Sequence, residues 1–314
     1  MSKKELIVVG ELNVDLILNN IDGFPKIGTE IIADDMNLTL GSSSAIMAAN
    51  AAAMGVNTSF CGKIGKDMFG DIVLKELNAK QVSTNYISTS ETHQTGITIV
   101  MNYDEDRANV TYCGAMELLT IDDIPWEELT EFKHFHLSNF FIQKGIRKDI
   151  TLIFKKAKEA GLTTSLDLQW DPENQWDFNY EECLPYVDVF MPNEAEIKAL
   201  TGTSSIEEAL EKVTPYANTI ALKMGAKGSI GIKEGTKLEI TSFSNPNHVD
   251  SIGAGDSFNS GFIKQYIAGK SLEECLSHGN LMGALNTTAP GGTGAFKNPE
   301  EIKQKVKSIF NVAI

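Results

Sequence analysis

Four short β-rich runs, ELIVVG at 5–10, HFHLS at 134–138, LTTSLDL at 162–168 and VDVFMP at 187–192, constrain this chain more than any other feature. From 132 onward they alternate with helical stretches, one over about 147–160 and one opening after VDVFMP. Strand–helix alternation of this kind implies an α/β fold, with a mostly parallel sheet buried beneath helices. A strand, glycine turn and hairpin follow at 218–241, and long helices follow 255, 271 and 299. The 314 residues accommodate one large α/β domain or two smaller ones. No repeat, low-complexity segment or linker divides them.

Two regions break the rhythm. Residues 29–40, after a turn bracketed by Pro25 and Gly28, alternate as a two-sided strand, and extended stretches at about 96–102 and 107–113 flank a hairpin tip, DEDR at 104–107. These predict a small β-sheet subdomain, with strands within about 12–40 and 95–114. Standing off the main body, it would act as a flap that covers a ligand and excludes water.

Several polar residues fall where the two parts would meet. Asn13 and Asp15 alternate with Leu12 and Val14, so they share one face at the mouth of the sheet and suit a polyhydroxylated ligand, or simply mark a strand exit. GSSSAIMAANAAAMG at 41–55 reads as a serine-capped, alanine-rich helix that packs closely, and its glycine-serine start also suits substrate contact. GKIGKDMFGD at 62–71 is a strand-to-helix turn. His134 and His136 share a strand face but have no third ligand and no HExxH, so they read as structural. Asn193 and Glu196 share the first turn of a helix, as capping residues or as functional ones. Gly225 and Gly228 make a turn that could let backbone approach a nucleotide.

The stretch DSIGAGDSFNSGF at 250–262 carries the chemistry. Gly253 and Gly255 permit backbone conformations in which successive N–H groups converge, and the helix that follows adds unpaired N–H groups and a partial positive charge. Such a turn attracts phosphate. Asp256 is out of place beside an anion unless it caps the helix or takes a proton from a hydroxyl that attacks phosphorus.

A net charge of −15 argues against nucleic-acid and anionic-membrane partners. Cys61, Cys113, Cys183 and Cys275 are scattered, with no CxxC, and read as reduced residues of a cytoplasmic protein. The apolar run at 6–9 is too short for a signal-peptide core or a membrane span. GKS at 269–271 is not a P-loop, because Lys264 stands where the first glycine is needed, and GAGDSF is not a dinucleotide fingerprint, because Phe258 replaces its last glycine.

Taken together, the chain resembles the ribokinase-like (PfkB) carbohydrate kinases nearly from end to end. DSIGAGDSFNSGF is similar to that family's C-terminal signature, 41–71 to a looser version of its N-terminal one, and Asn193 with Glu196 to its NxxE motif. The resemblance implies a single three-layer α/β/α sandwich over 1–314 with a β-sheet lid, transferring the γ-phosphoryl group of ATP, with Mg²⁺, to a hydroxyl of a small sugar. It implies Asp256 as general base and the amides of Gly253, Ala254, Gly255 and Asp256 as anion hole. Asn193 and Glu196 would organise Mg²⁺ and phosphate through water, Gly225, Gly228 and Asn280 would hold the nucleotide, and Asn13, Asp15, Gly41 and Ser42 the sugar. Asp250 and the loop 288–293 fall where some members bind a monovalent cation, usually K⁺.

The chain departs from the family pattern at Ser251 in place of threonine, at Ser42 in place of the second glycine, and at Ile46 in place of the asparagine of ribokinases. The segment at 165–176 looks like a run found in some family sugar kinases. A nucleoside kinase, with Ile46, Phe140 and Phe141 lending apolar surface, and a silent sugar- or nucleotide-binding relative are the alternatives. The flap's apolar face, needing a cover, makes a homodimer through the lid the expected assembly.

Overall fold

The computed structural model describes residues 4–103 and 106–314. In chain order the first half comprises β1 (Leu6–Val9), β2 (Asn13–Ile21), β3 (Ala33–Leu40), α1 (Ser43–Ala53), β4 (Thr58–Gly65), α2 (Met68–Ala79), β5 (Ser83–Ser90), β6 (Gly96–Tyr103) and β7 (Asp106–Tyr112). There follow β8 (His134–Ser138), α3 (Lys144–Arg147), α4 (Ile150–Glu159), β9 (Thr163–Asp167), α5 (Tyr180–Cys183), β10 (Val189–Phe190), α6 (Glu194–Thr201) and α7 (Ile206–Val213). The chain closes with β11 (Thr219–Lys223), β12 (Ser229–Lys233), β13 (Thr236–Ile240), α8 (Ala254–Ile267), α9 (Leu272–Asn286) and α10 (Pro299–Phe310).

Nine strands form the main sheet in the order β13-β12-β11-β10-β9-β8-β1-β4-β5. Pairing is parallel from β11 to β5, and antiparallel only at the β11–β12–β13 edge. β1 lies inside the sheet and is apolar at all four positions because both its faces are covered. One apolar cluster joins Ile7 and Val9 to Ile153 and Phe154 of α4 and Ile197 of α6. The other joins Leu6 and Val8 to Met47 of α1, Val73 of α2 and Phe262 of α8. Helices therefore cover both faces, which makes the three-layer sandwich.

The helix starts follow local chemistry. Asn298 caps α10 ahead of Pro299, and Ser271 and Glu274 form a reciprocal capping box at α9. α4 buries a stripe of Ile150, Ile153, Phe154 and Ala157 at helical spacing. His134 and His136 are buried as structural residues. His134 bridges Thr163 Oγ1 and Ser165 Oγ at 2.7 Å each, and His136 Nδ1 meets the same Ser165 oxygen at 2.7 Å.

The lid is a separate four-stranded sheet, β3-β2-β6-β7. Its edge strand β3 is shorter than the two-sided strand expected over 29–40, beginning at Ala33. Of the expected hairpin tip, 104 and 105 lie outside the described residues, while Asp106 and Arg107 already belong to β7. Cross-strand registers place Leu16, Leu38, Ile99 and Val110 on one face, and Asp15, Thr39, Thr98 and Thr111 on the other. The lid is thus amphipathic, its polar face carrying Asn13 and Asp15. Its apolar face is buried near Val14 and Leu40 and exposed farther out at Met36, Ile99, Val110 and Tyr112.

Candidate active site

Strand ends gather the polar residues. β1 is followed by Glu11, β9 closes on Asp167, β11 closes on Lys223, and Asn193 sits just past β10, bridged to Lys223. These are the carboxyl ends of parallel strands, where open α/β sheets leave a crevice. α8 begins across that crevice. Its N-cap, Gly253, takes φ 74°, and a Cβ there would come within 2.6 Å of Gly292 Cα, so the turn requires glycine.

Asp256 does not cap α8, since the helix start carries no side-chain cap bond. Its Oδ1 instead accepts from Gln169 Nε2 at 3.2 Å. Of the amides expected to form an anion hole, that of Ala254 is already engaged, donating to Ser251 O at 3.3 Å to close the turn. The amides of Gly253 and Gly255 make no such loop bond among the described residues.

Around Asp256 the site is crowded with carboxylates. Asp167 Oδ2 accepts from Lys223 Nζ at 2.6 Å, from Asn259 Nδ2 at 2.5 Å and from Gln169 Nε2 at 2.9 Å. Burial, and then the charges of Asp167, Glu11 and Glu196, hold the Asp256 carboxyl well above the usual range against the pull of Lys223. Burial and Asp167 likewise push Glu196 up to about 7. For Lys223, burial works to lower the ammonium pKa, but Asp167, Glu196 and Asp256 outweigh it and the net shift is upward. Low-dielectric surroundings strengthen each of these couplings.

Asn193 and Glu196 realise the capping reading in full. Asn193 Oδ1 accepts from Glu196 N at 2.9 Å, and Glu196 Oε2 accepts from Asn193 N at 2.8 Å. The same box leaves the Glu196 carboxylate buried within the influence of Asp167 and Lys223, so the capping residue also faces the candidate site. Among the described residues no three His, Cys, Asp or Glu side chains converge as ready-made metal ligands. The buried Glu196 carboxylate is an oxygen donor of the kind that suits Mg²⁺, an ion that keeps much of its hydration shell.

On the lid side, Asn13 Nδ2 donates to Asp15 Oδ1 at 3.1 Å and to Thr98 Oγ1 at 2.7 Å. Gly41 lies directly against both residues, where a Cβ would come 2.9 Å from Asn13 Oδ1. Burial pushes Asp15 up to about 6, against the opposing effects of the Asn13 amide and the Arg107 charge. Ser42 caps α1, accepting from Ala45 N at 3.0 Å and donating to Glu11 O at 2.5 Å. Glu11 binds the Ser44 hydroxyl and amide, and burial holds it up at about 7.

Ile46 and the two phenylalanines lie elsewhere than the apolar-pocket expectation put them. Ile46 wedges under the turn at Gly253, where a Cβ on that glycine would come 3.1 Å from its Cγ2, and it also abuts Gly292. Phe140 and Phe141 are 2% exposed and stack edge-to-face with each other and with Phe178 and Trp176, inside the core.

Beyond Lys223 a cavity of about 600 Å³ is lined by Gly225, Gly228, Gly255, Phe258 and Asn280. Gly225 and Gly228 take φ 57° and 105°. Only Gly228 is also crowded, by the backbone at Ser242. Asn280 Nδ2 holds the cavity wall by donating to Ile240 O at 3.1 Å. Asp250 draws two loops together, accepting from Ile252 N and from Gly291 N at 2.8 Å each.

Sequence reasoning missed Asp167, Gln169, Lys223, Asn259 and Glu11. A signal existed for two of them, since Asp167 and Lys223 are charged residues that close buried strands. Gln169 has φ 61°, a left-handed conformation uncommon for a side chain of its size, and only the folded backbone reveals it.

The profile of the pfkB family carbohydrate kinases matches residues 3–299. A ribokinase of Lactococcus lactis is 27% identical over 307 residues, 96% of this chain and 97% of that protein. A 2-dehydro-3-deoxygluconokinase of Bacillus subtilis is 25% identical, covering 96% of this chain and 94% of its own. The structure of Arabidopsis thaliana ribokinase complexed with ribose and ATP superposes with a TM-score of 0.83 at 26% identity, over 97% of this chain and 99% of that one.

Proposed function

The chain belongs to the pfkB family of carbohydrate kinases, and on that premise we propose that it transfers the γ-phosphoryl group of ATP to a hydroxyl of a small neutral sugar, with Asp256 as the base. The observation that carries this reading is Asp256 itself: a buried carboxylate on the first turn of α8 that caps nothing and is steered by Gln169. A carboxylate beside an anion turn has a use in accepting the proton of an attacking hydroxyl.

The acceptor lies under the lid, its hydroxyls bound by Asn13 and Asp15 and its reacting oxygen toward Asp256. Carboxylates and amides answer hydroxyl groups well and repel acidic ones, which favours a neutral polyol. Gly225, Gly228 and Asn280 line the nucleotide's place, and the amides of Gly253 and Gly255 face the transferred group. Mg²⁺, carried on the phosphates near Glu196, offsets phosphate charge when bound. Transfer is in line, so most of the rate comes from positioning and from charge stabilisation in a water-poor site. Asp250 and the 288–293 loop supply the oxygens for K⁺, and the exposed apolar face of the lid pairs with that of a second copy.

A coupled ADP-release screen over pentoses, hexoses, sugar acids, sugar phosphates and nucleosides, with and without K⁺, tests the reading. Turnover with a neutral sugar is expected. Release only with nucleosides or only with acids would overturn the acceptor assignment, and no release with any acceptor would leave a binding protein.

A further inference from the structure

Lys223 is the one Lys or Arg side chain buried among the described residues, and it is buried among carboxylates. A buried ion pair is a weak source of net stability, because desolvation cancels much of the attraction. Its position suggests a different use. The ammonium stands where β11 ends, lines the cavity shared by Gly225, Gly228 and Asn280, and lies 3.8 Å from where a Cβ on Gly255 would be. It is therefore placed between the nucleotide cavity and the turn that presents Asp256.

We propose that Lys223 is a catalytic residue that rests on Asp167 while the site is empty and donates to the oxygens of the transferred phosphoryl group when ATP and acceptor are bound. This rests on the kinase reading above. Asp167 is equipped to release it, since its Oδ2 also accepts from Asn259 and from Gln169 and keeps both donors when Lys223 turns away. The alternative ordering, with Lys223 fixed on Asp167 throughout, commits the one buried ammonium among the described residues to a single carboxylate while the triphosphate arrives beside Asp167, Glu196 and Asp256.

In the reaction, the bond from the acceptor oxygen to the γ phosphorus forms as the bond from that phosphorus to the bridging oxygen breaks. The electron pair of the broken bond stays on ADP, the hydroxyl proton passes to Asp256, and Lys223 keeps its proton throughout. Its contribution is a charged donor aimed at charge that builds during transfer. Groups of that kind are worth about 10² to 10³ in rate.

The test separates this role from simple neutralisation of Asp167. Lys223→Met leaves Asp167 buried without its cation, so the informative protein is the double variant Lys223→Met with Asp167→Asn, which removes both charges together. If Lys223 touches the phosphoryl group, the double variant melts cooperatively and binds ADP within about threefold of the parent, yet loses about 10²-fold or more in single-turnover transfer. If the lysine only balances Asp167, the double variant recovers transfer to within about threefold, and the proposal is overturned. Should the double variant not fold, Lys223→Gln with Asp167→Asn, whose two neutral amides can pair in place of the ions, serves in its place with the same two outcomes. Asp256→Asn, run in parallel, keeps the two ideas apart: an active Asp256→Asn protein removes the base, whereas an active double variant removes only Lys223.

Discussion

Gln169 donates its side-chain amide to Asp256 Oδ1 at 3.2 Å, and the same nitrogen reaches Asp167 Oδ2 at 2.9 Å. One neutral donor thus ties the proposed base to a second carboxylate. A donor to a carboxylate favours its ionised form, which is the form a base requires. Gln169→Ala should lower turnover about tenfold, the worth of a hydrogen bond to a charged group. It should also move the acid limb of the pH–rate profile upward, because Asp256 loses support for its ionised form. A profile that keeps its acid limb in place would remove Gln169 from this role.

Glu11 makes a separate prediction about stability. Its folded value of about 7 lies above the ordinary 4.5, so the folded state holds the proton more tightly than the unfolded chain does. The stabilisation is fully present below the unfolded value and is lost as pH rises through the folded one. The shift corresponds to roughly 3 kcal/mol. Melting temperatures of the substrate-free protein and of Glu11→Gln, taken between about pH 5 and pH 8, should therefore converge or cross as pH rises, the variant being the flatter of the two. Parallel curves would mean that Glu11 titrates normally.

Much of the fold was legible because its signals are local. The LIVV run of β1, the stripe of α4 and the glycine that starts α8 each carry their period or their glycine in a few adjacent residues. The site was legible only where one segment contains it, as at Asp256 or Asn193 with Glu196. Asp167 meets Asn259 from 92 positions away and Lys223 from 56, and no spacing rule spans such distances. Ile46 misled for the same reason: its apolar side chain suits a ligand pocket or a wedge under Gly253, and only the approach of the 292 loop decides between them.

Glu196 caps α6 and, in the proposed kinase, is a carboxylate near the phosphates, and substitution separates the two. Glutamine at position 196 still accepts from Asn193 N, so the helix start survives. Glu196→Gln should therefore melt near the parent temperature, bind metal-free ADP normally, and need about tenfold to 100-fold more Mg²⁺ for half-maximal turnover. An unchanged Mg²⁺ dependence would reduce Glu196 to its capping role.

The lid's apolar face bears on assembly. Val110 is 60% exposed and Ile99 is 36% exposed, on one face and directly paired across strands. Light scattering should find a dimer, and Val110→Lys should convert it to a monomer, because a charge at such a contact is desolvated without a partner. A parent protein that is monomeric at about ten micromolar and above would exclude lid-to-lid pairing.

The central claim is that Asp256 accepts the proton of the attacking hydroxyl, and single-turnover phosphoryl transfer by Asp256→Asn measures it most directly once the ADP-release screen has supplied an acceptor. The substitution removes a buried carboxylate whose ionisation is already disfavoured, so folding and ATP binding should persist. Transfer should fall by about 10² to 10⁴. A folded, ATP-binding Asp256→Asn protein that transfers phosphate at near the parent rate would contradict the account.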